Sequence, residues 1–305
     1  MNSPSFSIAA VERDTGLSKD VLRMWERRYG FPLPERDANG ERLYPAVQVE
    51  RLRVIKRLMD QGYRPGRLIT LTEDELLALA PRRPRNMDEG SQSDAQNGLS
   101  ELLALIKQHD ATAYQQALQH CLARQGLQGF VLNTIAPLTR LVGEAWEDGR
   151  IEVFEEHLFT ELTKRVMRQA IGTLVVSGHG PRILLTTVPE EPHLLGLLMV
   201  EALFSLEGAT CIPLGTQMPL LEIVRAAEAH RADIVALSFS VAFAQRKIPG
   251  LLQQLRDLLP AHIDVWVGGS GANRIGATSG VRRIGSLNEA VAAIGDWSET
   301  QRKAG

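Results

Sequence analysis

Apolar residues recur with two different periods along this 305-residue chain, and the places where the period changes divide it. From Val47 to Gln61, Val47, Leu52, Ile55, Leu58 and Met59 follow helical spacing and predict a scaffold helix. Ahead of it, Ser7 to Gly16 reads as a short helix ended by glycine. Ser18 is then a good N-cap for a second helix through Lys19, Arg23, Arg27 and Arg28. So short a turn holds two helices at a steep angle, the geometry of a helix-turn-helix. Arg36 to Tyr44 is a polar turn around Asn39-Gly40 whose flanks can form a wing. From Leu99 to Val176 the pattern is helical almost throughout, in segments near 99–109, 111–124, 127–148 and 151–176 separated by Asp110, Gly126 and Gly149. Four such helices predict a small antiparallel bundle, with a kink at Pro137. After Gly178-His179-Gly180-Pro181 short apolar runs take over, at Arg182–Val188, Thr210–Leu214, Ile234–Ser238, Val265–Val267 and near 281–284. Amphipathic stretches near 194–207, 219–231 and 245–258, and a helix from Ser286, alternate with them. That alternation predicts a flavodoxin-like, doubly wound parallel α/β sheet, whose ligands sit at the carboxyl ends of its strands.

The chain is therefore expected to be multidomain: a winged helix-turn-helix over residues 1–80, a four-helix bundle over 99–178 and the α/β domain over 179–305. Pro81-Arg82-Arg83-Pro84-Arg85 breaks any helix and Asn86 to Gly98 is polar, so residues 81–98 read as a flexible linker. A net charge of −2 hides an asymmetry, because residues 1–85 sum to +4 and the remainder to −6. A basic head on an acidic body points to a polyanion as partner of the head. No charged-then-apolar signal pattern and no run of 18 apolar residues occurs, so neither secretion nor a membrane is expected, and the cytoplasm is the expected location. Cys121 and Cys211 lack companions at metal-ligand spacing and read as buried structural thiols.

Candidate chemistry concentrates in two places. The second N-terminal helix can enter a major groove about 12 Å wide with Lys19, Arg23, Arg27 and Arg28 facing bases and phosphates. Arg42 and Tyr44, two residues apart, share one side of the outgoing wing strand, where they would grip phosphates. Taken alone, the segment reads equally well as a charged amphipathic helix pair. In the α/β domain the first strand ends in Pro189-Glu190-Glu191-Pro192-His193-Leu194-Leu195-Gly196. Imidazole is a good ligand for a borderline metal, and a carboxylate two residues earlier can fix its tautomer through the other ring nitrogen. Later loops offer Gly215, Ser238-Phe239-Ser240 and Gly268-Gly269, hydroxyls and bare backbone that suit a flat or extended ligand tail. Singly, a loop histidine also reads as solvated or capping, and Gly268-Gly269 as a tight turn.

Together these motifs carry resemblances. Leu22-Arg23-Met24-Trp25-Glu26-Arg27-Arg28-Tyr29-Gly30, then Gly40-Glu41-Arg42-Leu43-Tyr44, resembles the winged helix-turn-helix of MerR-type regulators over roughly residues 6–80. That implies double-stranded operator DNA as partner, contacted by Lys19, Arg23, Arg27, Arg28, Tyr29, Arg42 and Tyr44. Ordinary members dimerise through a long helix just after this domain; the proline-rich break here moves that contact downstream. Glu191-x-His193-x-x-Gly196, Ser238-x-Ser240 and Gly268-Gly269 resemble the cobalamin-binding domain of methionine synthase, methylmalonyl-CoA mutase and corrinoid proteins, over residues 181–297. The resemblance implies His193 as the lower axial ligand to cobalt and a nucleotide tail between the later loops. The acid is Glu191 where Asp is commoner, so its bond to the imidazole reaches one methylene further.

Trp146, nine residues, then Glu156-His157 resembles the signature of the light-sensing, adenosylcobalamin-dependent MerR-type regulators of the CarH and LitR group. It implies that Trp146, Val153, Glu156 and His157 surround the 5′-deoxyadenosyl group. Glu147 stands where the best-known form has a histidine that caps cobalt after photolysis, so a bis-histidine light product is not implied. The function implied is a light-responsive regulator, a repressor and not an enzyme. It would bind its operator as an adenosylcobalamin-dependent homo-oligomer, a tetramer in the dark and smaller after light. Two alternatives remain at this point: a corrinoid methyl-transfer protein, which the helix-turn-helix disfavours, and a MerR-type regulator whose cobalamin-like domain is empty.

Overall fold

In the computed structural model, residues 5–37, 40–60, 63–72, 75, 76, 79, 93–174, 180–273, 275, 276 and 278–304 are described. The chain divides into two compact units, one holding the N-terminal elements, the other the bundle and the parallel sheet. In the first unit, α1 (Ile8–Thr15) starts where the Ser7 side chain accepts from the Ala10 N–H and stops at Gly16, which is left-handed (φ 69°). α2 (Lys19–Tyr29) repeats the device with Ser18 and Gly30. The wing strands β2 (Glu35–Arg36) and β3 (Arg42–Pro45) pair antiparallel, with Arg36 opposite Arg42. Asn39, expected at the tip, lies outside the described residues. A strand that the apolar pattern does not predict, β1 (Ser5–Ser7), pairs with the other edge of β3 and sets Phe6 opposite Tyr44. Val49, Leu52, Ile55 and Leu58 of α3 (Ala46–Asp60) form the core with Leu22 and Trp25, whereas Val47, placed in that stripe by the sequence, is exposed. The short α4 (Pro65–Leu68) follows, and Leu68, Ile69 and Leu76 join the same core.

In the second unit, α5 (Ser93–Lys107) begins inside the stretch expected to be linker. Once the apolar turns from Leu99 onward are buried, adding Ala95, Gln96 and Asn97 to their N-terminal side costs little. The Pro81–Arg85 break lies outside the described residues. α6 (Ala111–Phe130) is capped by Asp110 and broken by Gly126, whose φ 68° and ψ 170° are not helical. A π-helical segment, Val131–Ile135, leads into α7 (Ala136–Glu147), so the irregularity expected at Pro137 falls just before it. α8 (Val153–Gly172) completes the bundle and opens with a capping box between Glu152 and Glu155.

The parallel sheet comprises β4 (Arg182–Thr186), β5 (Thr210–Gly215), β6 (Ile234–Ser238), β7 (Asp264–Gly268) and β8 (Val281–Arg283). Their order, β5-β4-β6-β7-β8, is that of a flavodoxin-like fold, with the switch point between β4 and β6. At the β5 edge the register slips beside Leu185, where Pro213 lies in the strand. Helices α9 (Leu195–Leu206), α10 (Leu220–Ala229), α11 (Ile248–Leu258) and α12 (Leu287–Ala304) connect and follow the strands.

α9 is apolar nearly all round because it is covered twice. Leu197 and Phe204 pack with Ile183, Leu185 and Trp266 of the sheet. Leu195, Leu198, Ala202 and Leu203 instead join the core of the bundle, with Leu162, Val166 and Met167 of α8. Bundle and sheet thus share one helix. Leu198→Ala is expected to cost about 2–5 kcal/mol, as a buried leucine truncation does. Urea unfolding followed by far-UV circular dichroism checks this; a shift worth under about 1 kcal/mol would mean that the shared core is not tightly packed.

Candidate cofactor site and nucleic-acid interface

The loop after β4 runs across the switch point and is held from three sides. Thr187 is fully buried; its hydroxyl donates to the Glu191 carbonyl (2.5 Å) and accepts from the Gln217 N–H (2.8 Å). Its carbonyl accepts from Met218 N–H (2.9 Å), and the neighbouring Thr186 hydroxyl donates to the Gly215 carbonyl (3.0 Å). These two threonines tie the β4 loop to the β5 loop. Motif spacing does not single them out, although two hydroxyls closing an apolar strand are a readable signal.

Glu191 is almost wholly enclosed, its side chain 1% exposed, while that of His193 is 53% exposed. The Glu191 carboxylate meets His193 Nδ1 at 2.5 Å and accepts from the His193 backbone N–H at 3.2 Å. Its other oxygen accepts from the Ser240 N–H (2.7 Å), and the Ser240 hydroxyl lies 3.0 Å away. Burial pushes the Glu191 carboxyl up, but hydrogen bonds from His193 and Ser240 outweigh it and hold the group below the usual carboxylate range. An ionised carboxylate therefore anchors the ring by Nδ1, which makes Nε2 the nitrogen away from the anchor. Glycine is needed at several positions around this core, among them Gly196 and Gly269. A Cβ on Gly196 would lie 2.7 Å from the Ser238 hydroxyl, and one on Gly269, at φ 88°, would run into the Phe239 backbone. Gly215 and Gly268 end their strands at the same carboxyl edge.

The structure thus brings Glu191, His193 and Ser240 together, and Gly196 against Ser238. Among the described residues no three His, Cys, Asp or Glu side chains converge, so a metal at His193 would have to bring most of its ligands with it. A corrin does that, and the anchored, half-exposed imidazole fits such a group.

On the bundle, Val153, Glu156 and His157 fall on one face of α8 by their i, i+3, i+4 spacing. The Glu156 carboxylate accepts from the Thr160 hydroxyl (2.8 Å) and lies 3.7 Å from His157 Nδ1. Its neighbour Glu155 turns inward instead, accepting from the Glu152 N–H (2.7 Å) and meeting His109 at 3.1 Å. Trp146, near the end of α7, packs partly buried on the bundle core.

On the N-terminal unit, Arg23, Arg27 and Arg28 are exposed along α2. Lys19 pairs with Glu12 (3.5 Å), and Arg28 lies over the Tyr29 ring (5.3 Å). The wing departs from expectation. Arg42 and Tyr44 do share a face of β3, but it is the inward one. Tyr44 is fully buried in the core, so phosphate contact by its hydroxyl is not available in this arrangement. Arg42 bonds Glu26 of α2 at 2.9 Å. The missed wing cation is Arg36, exposed beside the turn and bonded to the Gly40 carbonyl (2.7 Å).

Residues 6–75 match the family described as MerR HTH family regulatory protein, and residues 99–171 and 181–278 each match a B12 binding domain. The HTH-type transcriptional repressor CarH of Myxococcus xanthus is 30% identical over 89% of this chain and 91% of its own length. The chain belongs to the CarH and CarA family of MerR-type transcriptional repressors. CarA from the same organism is 31% identical over 87% of this chain and 86% of its own length. The fold of the second unit is that of the Methanosarcina barkeri monomethylamine corrinoid protein, with TM-score 0.53, 15% identity, and 65% of this chain and 97% of that one covered. As a CarH and CarA relative the protein is a regulator and not an enzyme, and it is built on cobalamin-binding domains.

Replacing the anchor should be measurable without any cofactor. Glu191→Gln is expected to cost about 1–3 kcal/mol at neutral pH, the range for disturbing a buried hydrogen-bonded group. Because the folded-state pKa is depressed, the stability contributed by ionised Glu191 is present above the usual carboxylate range and is lost as pH falls through the lower folded value. Urea midpoints of wild type and variant should therefore differ at pH 7 and converge in acid; a gap that widens in acid contradicts the assignment.

Proposed function

We propose that this protein is a light-responsive transcriptional repressor. It binds operator DNA as an adenosylcobalamin-dependent oligomer in the dark and releases it after illumination. The reading rests on the histidine anchored through Nδ1 by a buried carboxylate at the switch point of a parallel sheet. His193 would hold the cobalt of the cofactor through Nε2, with Glu191 and Ser240 fixing its ring. Gly215, Ser238, Gly268 and Gly269 would receive its nucleotide tail. Trp146, Val153, Glu156 and His157 would surround the adenosyl group. When bound, adenosylcobalamin supplies a cobalt–carbon bond that visible light breaks.

The protein's own part is to be bistable. The bundle keeps one arrangement over the α/β domain only while the upper pocket is filled, and that arrangement carries the self-association surface. Protomers gathered in this way hold several DNA-binding units on one operator, and the loss of avidity on dispersal exceeds the loss of any one contact. Lys19, Arg23, Arg27, Arg28 and Tyr29 meet the DNA from α2, and Arg42 braces the wing against that helix. The cytoplasm is the place where such a regulator meets its operator, and no helix among the described residues is long and apolar enough to cross a membrane.

Size-exclusion chromatography with adenosylcobalamin or methylcobalamin, before and after green light, tests the reading. Adenosylcobalamin alone should produce the larger, tetrameric species, and light should return the smaller one. His193→Ala should lose cobalamin affinity and assembly while keeping its far-UV spectrum. Equal assembly with methylcobalamin, or an oligomer indifferent to light, would remove the photoreceptor. On the DNA side, Arg27→Ala should weaken operator binding and flatten the plot of log K against log salt by about 1, one phosphate contact's worth. A wild-type slope in titrations across salt would take Arg27 off the interface.

A further inference from the structure

α9 contains a single ionisable residue. Glu201 lies among Leu198, Ala202 and Leu203 on the side of the helix that faces the bundle, and its side chain is 7% exposed. Its two carboxylate oxygens accept from one nitrogen of Arg168 on α8, at 2.9 and 3.1 Å, and the arginine is 40% exposed at the rim of the interface. Burial pushes the Glu201 carboxyl up, and Arg168 opposes that shift, so the guanidinium is the group that favours its charged form.

The two helices otherwise meet through aliphatic side chains, Leu162, Val166 and Met167 against Leu198, Ala202 and Leu203. Such a surface tolerates sliding, because one leucine contact resembles the next. A buried carboxylate does not, since a shift that leaves it unpaired costs far more than exchanging one apolar contact for another. The nearest other cations on α8, Lys164 and Arg165, lie one turn earlier, and Lys164 already bonds Glu161 at 2.7 Å. In the opposite direction stand Ile171 and Gly172, which carry no charge. The pair therefore admits discrete registers and penalises those between.

Both ends of this link lead to the site. α8 opens with Val153, Glu156 and His157, and α9 begins two residues after His193. We propose that Arg168–Glu201 locks the register of α8 against α9, and so sets the spacing between the upper-face residues and the cobalt ligand. The lock rests on the helix packing; its effect on the cofactor rests on the function proposed above. Both residues are positioning residues.

The test is R168M/E201M, which replaces the pair by apolar chains of similar volume. A pair replaced in this way usually keeps or gains stability, so thermal melting should show a folded protein. Spin labels carried on non-natural side chains at Gln169 and Glu207 leave Cys121 and Cys211 in place and read the register by electron–electron distance. The wild type should give one narrow distance, and the double variant a broadened distribution or one displaced by about 5 Å, a helical turn. Adenosylcobalamin affinity, titrated by visible absorbance in the dark, should fall at least tenfold. The charge reversal R168E/E201R should recover a narrow distance. A wild-type distribution in R168M/E201M overturns the lock, and a displaced distribution with wild-type affinity overturns its link to the cofactor. If the wild type binds no adenosylcobalamin, the proposed function falls and the distances still decide the lock.

Discussion

The second unit depends on one helix being buried on two sides. α9 gives Leu197 and Phe204 to the core of the sheet and Leu195, Leu198, Ala202 and Leu203 to the core of the bundle. Neither layer can be completed without it, which explains an element of twelve residues with so little polar surface. Its start is set by the loop that ends in His193, so the packing of both cores converges on the placement of one imidazole.

The site solves the problem of burying a charge safely. Glu191 is enclosed, yet every partner around it donates: the His193 ring and N–H, the Ser240 N–H and its hydroxyl. Those donors come from two loops, after β4 and after β6, whose starts lie side by side because the two strands are neighbours in the sheet. The topology delivers the second loop, and the carboxylate turns that proximity into a fixed ring orientation. Ser240 is thus as much a part of the arrangement as the glutamate, although it is far away in sequence.

Much of this fold is legible in the amino-acid sequence. The five strands and their helices stand close to where short apolar runs and amphipathic stretches predict them, most plainly for β4, β6 and β7, whose burial on both faces leaves a continuous apolar run. The helix end at Gly16 and the cap at Ser18 are local chemistry and read directly. Tertiary choice is not legible in the same way. Alternation puts Arg42 and Tyr44 on one face of β3, but only packing decides that this face meets α2 and not solvent. Adjacent Glu155 and Glu156 likewise look alike in sequence, and the capping box and His109 claim the first while the second stays on the open face. β1 escapes notice because three residues are too few to show a period. The link across the bundle interface leaves no local pattern either, since Arg168 and Glu201 are 33 positions apart.

The sheet's two borders bear on how copies of the protein can meet. On one border, Pro213 takes a donor out of β5 and the ladder slips beside it. On the other, β8 is only three residues long and carries Arg282 and Arg283. A strand from a second molecule finds neither a continuous row of backbone groups nor a neutral rail to align on. Growth of the sheet by edge-to-edge addition is blocked at both borders, which leaves helical surfaces and loops as the only faces on which any second copy of this unit could settle.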